Sequence, residues 1–269
     1  MEVIEASTWD EFEDRLGKLR QDLGRGSSRL LFRGQGSSEW KLSTTLERAG
    51  YTGMPFHDYY RLISRVRPAI ETLTGVNWEI PEYSLELAES LKEYDEFHRF
   101  PSVSLYRYMV YLRHHGFPSP LLDWSCSPYV AAFFAFRELL CDVSKRSVFV
   151  FCEMPSVAKV WSSEEPSIRG IGPYIRSHRR HFRQQCDYTI CGRLNGQWEF
   201  SPHEDVFARS DPDQDVLWKF DLPSSERVRV LRLLNDYNLN AFSLFDSEES
   251  LMETAWLREV VFKEHGPLL

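Results

Sequence analysis

The stretch SPYVAAFFAFRELL at 127–140 constrains the fold more than any other part of the chain. Ser127 is a preferred N-cap, and Pro128 suits the first helical position because its missing N–H would be unpaired there anyway. The helix that follows is apolar almost all round, so it has to be covered on nearly every side. With 42% hydrophobic residues in 269, the chain has enough apolar material to cover it.

The elements around it do not alternate. Residues 8–23 read as a helix capped by Thr8, with Trp9, Phe12, Leu16 and Leu19 on one face. GRGSS at 24–28 breaks the chain, and RLLFRG at 29–34 reads as a short buried strand ending in a glycine turn. Residues 57–72, 83–99 and Ser104 to His115 read as helices, the last ended by Gly116 and barred from continuing by Pro118 and Pro120. SVFVFCE (147–153) and DVLWKFDLP (215–223) read as strands, and 224–237 and 247–264 as helices. The stretch 154–215 shows no clear period. Without a regular strand–helix alternation a doubly wound parallel sheet is excluded, and the pattern predicts a single α+β domain.

The remaining composition narrows the class. The net charge is −8, and no apolar run is long enough to cross a bilayer. The acidic N-terminus lacks the basic and apolar regions of a secretory signal, so no membrane partner and a cytoplasmic location are expected. Five cysteines without dense spacing fit free thiols in a reducing compartment.

Three constellations carry chemistry. The first is Arg33-Gly34-Gln35-Gly36-Ser37 after a strand, where the guanidinium could fork onto a phosphate and the glycines could admit a ligand to the backbone. The alternative is a glycine turn with a structural salt bridge. The second is 113–136, where Asp123, Trp124 and Ser125 precede the Ser127 helix end, a place that attracts anions. Trp124 or Tyr129 could stack on a base, or Trp124 could fill the core while Asp123 and Ser127 merely cap. His114 and His115 carry favourable charge for a helix C-terminus. The third is 169–193, with six arginines and one acid, which suggests an anionic partner or a solvated face paired with acids of the same chain. Within it His178, His181, Cys186 and Cys191 suit zinc by residue type, but their spacing matches no standard finger and arginines surround them, so no metal is expected.

FRGQ at 32–35 together with RHHGFPSPLLDWSCSPYVAAFFAF at 113–136 resembles the FRG-domain family, named for its Phe-Arg-Gly motif. HFRQQCDYT (181–189) resembles the family's third block, with Cys186 in place of the usual glycine and Tyr188 in place of phenylalanine. LNDYNLNAFSLFDSEES (234–250) resembles its closing block. The resemblance implies one domain over 1–269: a helix and linker at 1–28, a patterned core at 29–255 and a helix end at 256–269.

FRG domains are in turn similar to ADP-ribosyltransferases. That similarity implies a mixed or antiparallel sheet with helical insertions, and NAD as co-substrate. It implies Arg33 on the NAD phosphates with Gly34 and Gln35 beside it, and Ser125, Ser127 and His115 around the site. Trp124 or Tyr129 would lie on nicotinamide, with Asp123 in polar work at the reacting centre. Gln185 falls nearest the position that orients the ribose, with Gln184, Glu199 and Glu204 as alternatives. Arg176, Arg179, Arg180 and Arg183 would bind a nucleic-acid acceptor, RNA favoured over DNA, in a toxin or phage-defence setting with a neutralising antitoxin protein. Two other readings compete: a nucleotide-binding module without catalysis, and a nuclease using His114, His115, His178, His181 and Asp123.

Overall fold

The computed structural model describes residues 1–265 apart from 24, 25, 94, 157, 161 and 163. Part of the break at 24–28 and the last four residues of the helix end at 256–269 therefore lie outside the described residues. Eight strands form one mixed sheet: β1 (Glu2–Glu5), β2 (Leu31–Gln35), β3 (Leu122–Ser125), β4 (Lys145–Cys152), β5 (Ser167–Gly170), β6 (Cys186–Leu194), β7 (Trp198–Phe200) and β8 (Val216–Pro223). Their order is β1-β8-β4-β2-β3-β6-β5, with β7 also pairing β6. Among the described residues only β1 and β8 pair in parallel. The helices are α1 (Trp9–Asp22), α2 (Thr45–Arg48), α3 (Phe56–Thr74), α4 (Leu85–Ser90), α5 (Glu96–Arg99), α6 (Val103–His114), α7 (Pro128–Phe136), α8 (Arg179–Arg183), α9 (His203–Phe207), α10 (Arg227–Asp236), α11 (Ala241–Phe245) and α12 (Glu248–Trp256). The expected α+β class, with a mixed and mostly antiparallel sheet, is what forms.

Strand β4 shows why the sheet is covered on both faces. Successive side chains point to opposite sides, and both sides of β4 are apolar. Val148, Val150 and Cys152 join a cluster with α1, α7 and α10, while Phe149 and Phe151 join another with Leu42, Val206 and Phe207. Helix α7 is capped as its sequence predicts, the Ser127 hydroxyl accepting from Val130 N, and seven of its nine residues are buried. It lies so close to β2 that a Cβ on Gly34 would sit 1.8 Å from the Ala131 carbonyl oxygen. Gly34 is thus required by helix packing, which corrects the expectation that it admits a ligand.

The helices α2 to α6 form an insertion between β2 and β3. They bury Phe56, Tyr59, Tyr108 and Met109 against Tyr188, Ile190, Trp198 and Phe200 of β6 and β7. Four sequence expectations change. The helix read over 83–99 is two short ones, α4 and α5. Helix α7 ends at Phe136, short of 140. Strand β3 lies in a stretch not read as a strand, and the unparsed region 154–215 supplies β5, β6 and β7. The final helix expected at 247–264 does form, as α12 followed by a π turn at Leu257–Val261 and a last turn at Phe262–Glu264.

One join in the sheet is weak. β2 pairs β4 through five Cα partners and β3 pairs β6 through four, but β2 and β3 share only Phe32 with Ser125. The chain on either side of that seam builds the candidate site. No helix among the described residues is long and apolar enough to cross a membrane.

Candidate functional site

Where β2 and β3 diverge, a side chain spans the gap. Arg33 Nη1 donates to the Asp123 carbonyl oxygen at 2.7 Å and to its carboxylate Oδ1 at 2.6 Å. Arg113, from the last turn of α6, donates to the same Oδ1 at 2.6 Å. Withdrawal into the protein alone would raise the Asp123 carboxyl. The charges of Arg113 and Arg33 and their hydrogen bonds outweigh it and hold the group well below the usual carboxylate range. Arg48 at the end of α2 is near enough that burial, followed by the charges of Arg33 and Arg113, lowers its guanidinium. Two guanidiniums therefore share one carboxylate, with a third, that of Arg48, close by.

A cavity of about 690 Å³ opens at this seam, within the roughly 300–1,000 Å³ of small-molecule sites. Arg33, Lys41 and Arg48 line it, as do Asp123, Ser125, Gln184 and Cys186. Trp40 and Phe134 supply apolar wall, and Glu39 and Glu138 supply acids. Two wall atoms are buried without a hydrogen-bond partner: Arg33 Nε, a donor, and Gln35 Oε1, an acceptor. The Gln35 amide nitrogen donates to the Lys41 carbonyl at 3.2 Å and so ties the 36–48 loop to β2.

The structure brings together Arg33, Gly34, Gln35, Asp123 and Ser125 as the sequence predicted. Ser125 donates to the Gln184 carbonyl at 2.8 Å and accepts from Ser127 N at 3.1 Å, so it links β3 to the start of α7. Other expected residues fall elsewhere. Trp124 meets the cavity wall, but its ring is 3% exposed and stacks on Phe151 at 5.3 Å. Its Nε1 donates to Thr189 Oγ1. It is a core residue, not a stacking surface. Ser127 serves as the α7 cap and does not line the cavity. Tyr129 packs beside Trp9 and donates to Glu13 at 3.1 Å, on the α1 side. His115 is exposed and lies against Tyr111.

Gln185 is also misplaced as the ribose-orienting residue. It adopts a left-handed φ of 49° and its side chain is exposed outside the cavity. Its neighbour Gln184 lines the cavity instead, with its amide nitrogen given to the Leu244 carbonyl at 3.2 Å. Glu199 is paired with Arg193 at 2.6 Å on β7. Glu204 accepts from Leu42 N at 2.9 Å beneath the same loop that carries Trp40 and Lys41.

The basic segment is largely bound to its own chain. Arg183 reaches Asp246 at 2.9 Å, Arg180 lies over Phe245, and Arg169 donates to the carbonyls of His98 and Phe100. Arg179 contacts Asp246 only at 3.7 Å and its side chain stays 82% exposed. Arg176 is exposed as well. Of the histidines of the nuclease reading, His178 caps α8 and His115 faces solvent, while His114, whose Nε2 meets the Tyr188 hydroxyl at 2.8 Å, lies beside His181.

Sequence reasoning missed Trp40, Lys41, Arg48, Arg113, Glu39, Phe134 and Glu138. A signal existed for three of them: WKLSTTLER follows RGQGSS after a single residue, Glu39, and a loop bearing Trp, Lys and Arg after a candidate phosphate turn could have been read with it. Fold and cleft together give an α+β architecture with a cavity lined by three basic side chains at a sheet seam. Residues 28–142 match the family model described as FRG domain, which supports the resemblance seen in the motifs at 32–35 and 113–136. No curated protein and no solved structure matches the chain.

Proposed function

We propose that this protein is an NAD-dependent ADP-ribosyltransferase whose dinucleotide occupies the cavity at the β2–β3 seam. One observation carries the reading. Arg33 and Arg113 both donate to Asp123 Oδ1, Arg48 lies close to them, and Arg33 Nε lies buried at the cavity without a partner. A pyrophosphate supplies the missing anion and the acceptors that guanidinium donors fit. Lys41 and Arg48 add charge from the loop. Trp40, half exposed on the cavity wall, takes the stacking role first given to Trp124.

NAD supplies a ribose–nicotinamide bond that breaks through an oxocarbenium-like state. This chain's part is to hold the phosphates, orient the ribose and keep charge where it develops. Gln184 is placed to bind ribose through its oxygen, and Glu39 and Glu138 are the acids at the cavity. Asp123, held ionised between two arginines, positions Arg33 and takes no proton near neutral pH. Arg176 and Arg179, exposed on the basic segment, suit an RNA acceptor, with a toxin or phage-defence role and a neutralising partner protein.

A second reading, a nucleotide-binding module without catalysis, is favoured by one feature. The Gln184 amide is already committed to Leu244, and β6 presents no carboxylate to the cavity. Purified protein with NAD labelled on the adenylate phosphate, offered RNA, DNA or lysate protein in separate tubes, separates the two. Label on one polymer, lost in Arg33→Lys and reduced about tenfold or more in Arg48→Ala, supports the transferase. NAD binding with no label transfer and no nicotinamide release supports the module. Folded protein that binds no NAD refutes the transferase.

A further inference from the structure

His114 ends α6, His181 lies in α8, and Cys186 opens β6. The first is far from the others in sequence, yet one ligand atom from each lies within 4.8 Å of the other two. A tetrahedral zinc-class ion, with metal–nitrogen bonds of about 2.0–2.1 Å and a metal–sulfur bond of about 2.3 Å, sets its ligand atoms roughly 3.5 Å apart. A closure of about an ångström therefore completes the shell.

His181 provides the second observation. Its ring is 1% exposed. Nε2 lies 2.9 Å from the Pro173 carbonyl oxygen, which can only accept, so Nε2 carries the proton and Nδ1 carries the lone pair. That Nδ1 is buried with no partner. A buried lone pair facing nothing is costly. An imidazole whose far N–H is held by a backbone carbonyl is also how metal-ligating histidines are oriented. Cys186 is buried beside it, near the Tyr188 hydroxyl and 3.8 Å from Gln184 Oε1.

The arginines that would oppose a cation are engaged elsewhere. Arg113 is on Asp123, Arg183 is on Asp246, and Arg180 lies over Phe245. The spacing of His178, His181, Cys186 and Cys191 hid the cluster, because neither His178 nor Cys191 belongs to it. Cys191 sits in the core cluster on the other face of the sheet.

We propose that His114, His181 and Cys186 form a binding site for a zinc-class divalent ion, which ties the end of α6 to α8 and β6. Two imidazoles and one thiolate suit such an ion, and three protein ligands leave a fourth position for water or a ligand. The thiol proton leaves to solvent as the thiolate–metal bond forms. Cys186 also lines the cavity, so the ion borders the proposed dinucleotide site without being part of that reading.

The test reads metal binding alone. Chelator-stripped wild-type protein is titrated with Co²⁺ as a spectroscopic stand-in and then with Zn²⁺. The expected result is one equivalent of cobalt, a thiolate-to-cobalt charge-transfer band, and its displacement by zinc. Cys186→Ser abolishes the band, while Cys191→Ser, buried in the other cluster, keeps it. His181→Gln weakens cobalt binding by about 100-fold or more, beyond the roughly 10–100-fold that an outer partner contributes. X-ray absorption of the zinc-loaded wild type, which needs no variant to fold, shows a shell with one sulfur and two imidazole nitrogens. Folded wild-type protein without the band, a band retained in Cys186→Ser, or a zinc shell without sulfur overturns the proposal.

Discussion

Gly34→Ala and Gly17→Ala are the same chemical change with opposite expected signs. At Gly34 the added Cβ would lie 1.8 Å from Ala131 O and 2.6 Å from Ala135 N. Both atoms belong to the backbone of a helix buried on nearly every side, so neither can swing away. Ordinary contact needs about 3.4 Å or more, so β2 and α7 must separate by roughly 1.5 Å. That separation opens the packing of Val130, Ala131 and Phe133 on the sheet, and it draws Arg33 out of reach of Asp123. Overpacking costs about 1–3 kcal/mol where side chains can yield. Here backbone must yield, and about 3 kcal/mol is the floor, which lowers Tm by roughly 6–12 °C for a chain of this size. Gly17 lies inside α1 with nothing within 4 Å of its added Cβ. Alanine there gains roughly 0.5–1 kcal/mol of helix stability. Thermal unfolding by circular dichroism of both variants beside the wild type decides it. A Gly34→Ala midpoint within 2 °C of wild type, on an order-of-magnitude reading of the same scale, refutes the packing argument.

Asp123→Asn leaves Arg33 and Arg113 without a counter-charge. The expected loss is about 2 kcal/mol by urea denaturation, below the value for a sealed pair because solvent reaches 41% of the Asp123 side chain; an unchanged midpoint shows that the arginines are paired elsewhere. Burial, and then the charge of Arg33, pushes the His203 imidazole down to about 3, so it stays neutral in the fold while the unfolded chain protonates it near pH 6.5. The unfolded state then binds the extra proton below that pH, and stability falls by up to about 1.4 kcal/mol per pH unit on acidification. Denaturation midpoints that are equal at pH 7 and pH 5 exclude this. Charge reversal of Arg176 and Arg179 together is expected to reduce acceptor labelling or RNA retention at least tenfold without moving Tm, because neither side chain is buried; unchanged labelling leaves the basic segment a solvated face.

The sequence was most legible where one local signal sufficed. Ser127-Pro128 and the apolar run mark α7 because cap and burial are both written locally, and Thr8 marks α1 the same way. Strand β3 was hidden because LDWS is only four residues long and follows a proline-rich turn, so no period can show. The helix expected at 83–99 failed because its apolar positions Leu87, Leu91 and Phe97, all in one cluster, are divided between two short helices. Arg33 and Asp123 were legible as site residues, but their partnership was not, since Arg113 arrives from an inserted helix. Gln184 and Gln185 are adjacent, and only the left-handed turn at Gln185 decides which one faces the cavity. No local reading separates them.

The seam between β2 and β3 gives the sheet a mechanical character that its strand count does not suggest. On one side β1, β8, β4 and β2 form one plate, and on the other β3, β6, β5 and β7 form a second. In backbone pairing the plates share one ladder pair, and side chains bridge them through the Arg33–Asp123 clasp and the Trp124–Phe151 stack. Helix α7, entered from β3 and pressed on β2, lies across the joint like an axle. Compliance is therefore concentrated along one line, and amide hydrogen exchange should divide the molecule there. Both halves of that clasp line the cavity, so the joint of the sheet and the wall of the cavity are the same place.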